Sequence, residues 1–233
     1  MSISVMKRHE MKFLLSGEQT KRFREKLQGH MLIDQYGKTS IASLYYDTPT
    51  YQLIRSSLEK PAFKEKLRLR SYGLATQESP VFLEMKRKAN GVVYKRRVQM
   101  TVPLAQQFFS EDGKTQDDGQ ISREIAAFRS HYQALRPTCL IIYDRTAYFE
   151  PGGDLRLTID ENPRYRLDDL TLTKSMQGVS LLDPGWTILE IKVQDAMPLW
   201  LTAILSECSI RKGSFSKYGE AYRRELMKAQ YCA

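Results

Sequence analysis

The chain has 233 residues, with 36 Lys plus Arg against 27 Asp plus Glu, a net charge of +9 and a pI near 9.4. A hydrophobic fraction of 42% with 10% aromatics excludes a disordered basic tail. A chain this long can bury roughly 70% or more of its unfolded surface without disulfide or metal staples, so the positive excess belongs to a folded protein with an anionic partner: nucleic acid, acidic lipid, or a phosphorylated small molecule or polymer.

The cysteines Cys139, Cys208 and Cys232 are odd in number and show no metal or redox spacing, as in reduced thiols of a cytoplasmic protein. No apolar run approaches the ~18 residues of a membrane-spanning helix, and Lys7, Arg8, His9 and Glu10 come too early for a signal-peptide core. A soluble, cytoplasmic chain is expected. With no repeat and no Pro/Gly/Ser linker, a single domain over residues 1–233 is expected as well.

In chain order, residues 6–14 alternate as a strand with Arg8, Glu10 and Lys12 on one face. Residues 16–30 predict a helix, with a capping box at Ser16 and Gln19 and an apolar stripe at Phe23 and Leu27. A short helix over 51–58 precedes a strand over 63–72, where Lys64, Lys66, Arg68 and Arg70 oppose Phe63, Leu67 and Leu69, with Glu65 among the latter. Residues 81–88 set Glu84, Lys86 and Lys88 against Val81, Leu83 and Met85. Asn90-Gly91 is a tight-hairpin signal, and 92–100 then places Lys95 and Arg97 opposite Tyr94, Val98 and Met100, with Arg96 as an exception. Helices are predicted over 103–109 and 121–135, separated by a polar surface loop over 110–120. Strands follow over 139–149, with Tyr143 and Arg145 on one parity, over 155–160, with Arg156, Thr158 and Asp160 together, and over 186–194, with Glu190 and Lys192 opposite Leu189, Ile191 and Val193. Helices over 198–208 and 218–228 complete an α+β domain of mainly antiparallel strands with peripheral helices.

Such alternation suits an ordinary sheet with its charged parity in water. The charged parity is dominated by Lys and Arg, however, and a cationic face of that size repels itself unless an anion is present. Closing about eight strands into a barrel with that parity inside gives a basic, water-filled lumen, wide enough for a chain of phosphates and too narrow for duplex nucleic acid. Arg supplies planar bidentate donors and Lys a point charge. Glu10, Glu84, Asp160 and Glu190 in such a lumen are candidates for ion pairs or for holding a divalent metal against phosphate oxygens.

The strings Arg8-His9-Glu10-Met11-Lys12, Ser43-Leu44-Tyr45-Tyr46-Asp47-Thr48-Pro49, Lys64 through Gly73, Glu84-Met85-Lys86-Arg87-Lys88, Tyr143-Asp144-Arg145-Thr146-Ala147, Glu190-Ile191-Lys192 and Ser214-Phe215-Ser216-Lys217-Tyr218 follow in this order. Together they resemble the VTC domain, the polyphosphate polymerase domain of the vacuolar transporter chaperone complex and of its stand-alone bacterial relatives, within the triphosphate tunnel metalloenzymes. The resemblance implies an eight-stranded antiparallel barrel and transfer of the terminal phosphoryl group of ATP, or another nucleotide, to a growing polyphosphate or pyrophosphate acceptor, with Mn2+ or Mg2+. Carried onto this chain together with the strand parity, it implies Arg68, Arg70, Lys86, Arg145 and Lys217 as catalytic. Lys12, Lys66, Lys95, Arg97, Tyr143, Lys192 and Ser216 are implied as phosphate-binding, and Glu190 as the metal ligand with Glu10 and Glu84 as additional candidates.

Phosphoryl transfer needs oxygens held in line and negative charge neutralised, so the lack of a Ser/His/Asp or Cys/His arrangement is consistent with this chemistry, and His9, His30 and His131 are expected to be surface or sheet residues. Two positions depart from the family pattern. Arg8 stands where tunnel hydrolases carry the first glutamate of Glu-x-Glu-x-Lys, which disfavours hydrolysis of small triphosphates, and Ser214 stands where the eukaryotic polymerases carry a lysine. The alternatives are a tripolyphosphatase or nucleoside triphosphatase of the same fold, and a non-catalytic polyphosphate- or polyanion-binding module beside a membrane-protein partner; no nucleic-acid partner is expected.

Overall fold

A computed structural model describes residues 9–59, 61–90, 92–110 and 119–227. Along them run β1 (His9–Leu15), α1 (Gly17–Leu27), β2 (Leu32–Asp47), α2 (Gln52–Leu58), β3 (Phe63–Tyr72), β4 (Val81–Ala89), β5 (Val92–Met100), α3 (Val102–Ser110) and α4 (Gln120–His131). There follow β6 (Arg136–Phe149), β7 (Arg156–Arg166), β8 (Val179–Ser180), β9 (Thr187–Val193), α5 (Leu199–Glu207), β10 (Lys212–Gly213) and α6 (Lys217–Ala221), which continues into a π-helical turn over Tyr222–Leu226. Arg8, Gly91, Cys232 and most of the predicted 110–120 loop lie outside the described residues.

The expected α+β class of antiparallel strands with helices holds, and the closed barrel of about eight strands is corrected. Among the described residues the sheet has ten strands hydrogen-bonded in the order β10-β1-β9-β7-β6-β2-β3-β4-β5, with β8 on β7, so the path among them has two ends and is not a closed ring. The excess over eight comes from β8 and β10, which are two residues each. Alternation specifies which residues share a face, but closure needs a pairing between the terminal strands, and that carries no signature in either strand's own sequence.

The described residues divide into two compact units, one within Met1–Ser40, Tyr143–Arg164 and Ser180–Ser216, the other within Ile41–Ile142, Tyr165–Val179 and Lys217–Ala233. Each has its own apolar core. In the first, Phe13 and Leu15 of β1, Leu157 of β7 and Ile191 of β9 are buried with Phe23 of α1 and Leu201 of α5. In the second, Leu67 and Leu69 of β3 and Leu83 and Met85 of β4 are buried with Phe108 of α3 and Phe128 of α4. Each such side chain contributes about 1.5–3 kcal/mol by leaving water. Their alternation therefore commits one strand face to the helices and leaves the opposite face to the charges.

Local signals carry the remaining geometry. The Ser16 hydroxyl accepts from the Gln19 backbone N–H at 3.2 Å, and the Gln19 side chain accepts from the Ser16 N–H at 3.0 Å, which completes the capping box of α1. Ala89 pairs with Val92 across a two-residue turn, and Asn90 takes φ +48°, as the hairpin signal requires. The exceptions to alternation find partners on the helix side: Glu65 accepts from Arg87, its register neighbour, and from the Tyr132 hydroxyl at 2.9 Å, while Arg96 donates to Glu124 of α4 at 2.7 Å.

The Tyr-Tyr-Asp-Thr string acts as a remote helix cap. Asp47, wholly buried, accepts the backbone N–H groups of Thr48, Leu53 and Ile54 at 2.8, 2.9 and 3.0 Å and the Tyr218 hydroxyl at 3.0 Å, and Thr48 accepts from the Gln52 N–H at 3.0 Å. Tyr51, at the N-cap position in the left-handed region with φ 56°, supplies no side-chain cap of its own. Burial pushes the Asp47 carboxyl up despite these four donors, and Tyr218 is pushed well up by burial and by the carboxylate it meets.

Candidate functional site

In the unit containing β3, β4 and β5, register aligns three charged rows across the strands. Tyr45 of β2 stands opposite Arg68, which stands opposite Glu84 and then Arg97; Ser43, Arg70, Phe82 and Gln99 form the next row; Lys66, Lys86 and Lys95 form the row on the other side. Glu84 is only 2% exposed and is surrounded by cations. One carboxylate oxygen receives Arg68 Nε at 2.9 Å and Nη2 at 2.8 Å, with Arg70 Nη1 at 3.6 Å; the other receives Lys95 Nζ at 2.8 Å and Arg97 Nε at 2.7 Å. Burial alone would raise the Glu84 carboxyl, but Arg68, Arg70 and Lys95 overcome it and hold the group well below the usual carboxylate range. Four cations thus share this one carboxylate.

Aromatic rings support the same cations. Arg97 lies over the Phe82 ring at 4.3 Å and donates to the Tyr72 hydroxyl at 2.9 Å. The Tyr72 phenol is lowered because that donor and the neighbouring arginine charges outweigh its burial. Arg68 donates from Nη1 to the Tyr45 hydroxyl at 3.1 Å. Arg70, nearly buried, donates to the Ser43 hydroxyl at 3.3 Å.

The unit containing β1, β7 and β9 carries a second charged cluster. Register sets Lys12 opposite Glu190 and Glu190 opposite Thr158, with Glu10, Lys192 and Arg156 forming the adjacent row. Lys12 Nζ lies 3.5 Å from Glu10 and 3.6 Å from Glu190, and Lys192 Nζ lies 2.7 Å from Glu190. Burial opposes ionisation of Glu190, and Lys192, Lys12 and Arg145 reverse that and hold it well below the usual range. Arg145 makes a bidentate pair with the buried Asp160, at 2.6 and 2.9 Å, and lies 5.1 Å from the Tyr143 ring centre. Its own ionisation is pushed further up because Tyr143, Asp160 and Glu190 outweigh its burial.

The metal candidates separate on this geometry. Both oxygens of Glu84 are committed to four cations, as an ion-pair hub. Among the described residues Glu190 meets only two cations, Lys192 at 2.7 Å on one oxygen and Lys12, shared with Glu10, at 3.6 Å on the other, and Thr158, opposite Glu190, buries a hydroxyl oxygen with no hydrogen-bond partner among them. Two carboxylates beside an unsatisfied hydroxyl are hard oxygen donors of the kind that hold Mg2+ or Mn2+ when phosphate oxygens supply the rest. Among the described residues no group of three or more His, Cys, Asp or Glu side chains assembles a metal cage, so protein ligands alone would leave such an ion's coordination incomplete.

The sequence-predicted residues fall accordingly. Arg68, Arg70, Lys66, Lys86, Lys95 and Arg97 lie together on one unit; Lys12, Tyr143, Arg145, Lys192, Glu10 and Glu190 lie on the other. Ser216 ends the latter unit's last segment, and Lys217 opens α6 in the former. Two residues were left without a role by the sequence. Thr158 was placed on the charged parity but has no charge to single it out. Tyr45 sits in the signature string, but β2 does not alternate there, with Ile41, Ala42, Ser43 and Leu44 all buried. Of the histidines, His30 stacks on Trp200 with ring centres 4.3 Å apart.

The VTC domain family profile matches residues 7–225 of the chain. Among solved structures, a candidate adenylate cyclase from Bacillus halodurans superposes with a TM-score of 0.53 at 16% identity, covering 91% of this chain and 96% of that one. A candidate adenylate cyclase from Vibrio parahaemolyticus gives 0.51 at 11% identity, covering 92% and 97%. The Hippeastrum candidate adenylyl cyclase HpAC1, which has a dominant triphosphatase activity, gives 0.53 at 18% identity, covering 92% and 94%. At such identities the likeness concerns fold alone. No curated protein matches the chain significantly. No helix among the described residues is long and apolar enough to cross a membrane.

Proposed function

From a chain that belongs to the VTC domain family, we propose a nucleotide-dependent polyphosphate polymerase that transfers the terminal phosphoryl group of ATP to a polyphosphate or pyrophosphate acceptor. The observation that carries this reading is the Glu84 hub, in which one ionised carboxylate holds Arg68, Arg70, Lys95 and Arg97 side by side on a single strand face.

In the transfer, a terminal oxygen of the acceptor forms a bond to the γ-phosphorus, the bond from that phosphorus to the bridging oxygen breaks, and ADP leaves with the electron pair. The transferring group passes through a charge-spread transition state, and fixed guanidinium groups lower its energy because they need not reorganise as the charge shifts. Arg68 and Arg70 orient phosphoryl oxygens, with Glu84 holding both guanidiniums in position; Lys66 and Lys86 extend the same face as point charges. On the other unit, Arg145, locked on Asp160, joins Lys12 and Lys192 as a second set of cations for phosphate, with Tyr143 and Ser216 as donors; Lys217 is a further cation of the first unit. Glu190 and Glu10, with the Thr158 hydroxyl, are the residues to hold Mn2+ or Mg2+. Such an ion would neutralise charge on the nucleotide phosphates.

Incubation of purified protein with ATP and manganese, followed by electrophoresis for long-chain polyphosphate, tests the proposal directly. Polymer whose length grows with time supports it. Release of inorganic phosphate without polymer would assign a triphosphatase instead, and tight, unchanged retention of polyphosphate without turnover would assign a binding module.

A further inference from the structure

The Tyr45 phenol is a donor placed among donors. It stands in register with Arg68 on the charged face, and its oxygen accepts from Arg68 Nη1 at 3.1 Å, so its own proton is directed elsewhere. The side chains that act most strongly on this oxygen are Arg68, Lys66 and Arg70 of β3, and guanidinium and ammonium groups can only donate. From α6, Tyr218 meets Tyr45 only through ring stacking, with centres 4.7 Å apart, and from β6 Thr138 donates to the Tyr45 backbone carbonyl at 3.1 Å, not to the phenol. Glu84 of β4, the nearest carboxylate along the row, is occupied by its four cations.

We propose that the Tyr45 hydroxyl is a further ligand of the bound phosphate chain, donating its proton to a phosphoryl oxygen that Arg68 also contacts. The inference rests on the phosphate-binding reading of this face and adds a contact that switches with protonation. Burial opposes ionisation of the phenol, but the charges of Arg68, Lys66 and Arg70 and the Arg68 hydrogen bond outweigh it and bring the phenol down to about 8. The neutral phenol donates to phosphate. The phenolate has lost that proton and places a negative charge against the anion, so the contact is present below about 8 and turns repulsive above it. By linkage, bound phosphate must suppress ionisation of the phenol by the same factor by which ionisation weakens phosphate binding, moving its titration to higher pH.

Calorimetric titration of the full chain with sodium tripolyphosphate, without metal or nucleotide, tests this in wild type and Tyr45→Phe. At neutral pH the variant should bind about tenfold more weakly, the scale of one hydrogen bond to a charged group. Well above pH 8 that advantage of the wild type should vanish or reverse, and comparing the two proteins cancels the ligand's own titration. A second measurement is spectroscopic: phenolate absorbance of the wild type should show an ionisation near pH 8 that is absent from Tyr45→Phe, where the lowered Tyr72 remains, and that moves upward when tripolyphosphate is bound. Equal affinities at neutral pH, or an ionisation indifferent to tripolyphosphate, overturn the inference. Wild type that binds tripolyphosphate with this signature yet makes no polymer overturns only the polymerase reading; wild type that binds no tripolyphosphate overturns both.

Discussion

The cluster around Glu84 and the cluster around Lys12 are built from the same residue types on the same kind of strand face, yet their charges balance differently. Around Glu84, Arg68, Arg70, Lys95 and Arg97 share one carboxylate. Around Lys12, the cations Lys12, Lys192 and Arg145 meet Glu10, Glu190 and Asp160 one for one. The first gathers four cations on one buried carboxylate. The second sets three carboxylates among its cations and offers carboxylate oxygens to a metal. Alternation placed the charges on one face of each sheet segment; the single Glu84 against the three carboxylates of the other cluster is what divides their chemistry.

The sharpest way to break this comparison is to remove the central carboxylates. Glu84→Gln leaves four cations crowded around a neutral amide, and should cost about 3–5 kcal/mol in chemical denaturation, the scale of an uncompensated buried charge. Glu190→Gln leaves Lys12 with Glu10 and should cost less; equal losses would erase the distinction. Added tripolyphosphate should restore stability to Glu84→Gln in particular, because the anion replaces the missing charge.

The acid limb of stability offers a related test. Both Glu84 and Glu190 are depressed, so their stabilising contributions are complete above the usual carboxylate range and disappear as pH falls below it. Melting temperature should therefore fall on acidification, and Glu84→Gln should flatten that fall, since a glutamine has no such contribution to lose.

Among effects on activity, Arg68→Ala and Arg70→Ala should each lower kcat/KM for ATP by about 100-fold or more, as expected when a fixed transition-state donor is removed. Their melting temperatures should move little, because Glu84 keeps three other cations. Arg145→Ala should lose activity and stability together, since it removes the bidentate guanidinium from the buried Asp160. In a metal titration of ATP turnover, Glu190→Gln should lose the metal-dependent rise while metal-free tripolyphosphate binding persists, and retention of the rise would move the metal elsewhere. The smallest effect is a control outside both clusters: Ser16→Ala removes one cap hydrogen bond of α1 and should cost about 1 kcal/mol by denaturation without altering phosphate binding.

Much of this was legible in the sequence because it is local. Strands β3 and β5 begin and end where their alternation does, the Ser16 and Gln19 capping box forms as spelled, and the hairpin at Asn90 closes on Ala89 and Val92. The sixteen-residue β2 was not legible as a strand, because its first half is largely exposed and four consecutive residues, Ile41 to Leu44, are buried on both faces. Asp47 could be seen as part of a signature, but its role as acceptor for three backbone N–H groups and Tyr218 depends on a left-handed Tyr51 and on a helix far along the chain.

The +9 net charge and the alternating Lys and Arg determined by themselves that this protein gathers cations on strand faces, because side-chain direction in a strand follows from position alone. Strand order, the open ends of the sheet at β5 and β10, and the choice of carboxylate for each cation were decided only in the tertiary structure. Those depend on which residues, distant in sequence, come within a few ångströms in register. Tyr45 shows the difference most plainly: the sequence supplies a tyrosine among apolar neighbours, and only the alignment of β2 with Arg68, Lys66 and Arg70 turns its hydroxyl into a donor in need of a phosphate oxygen.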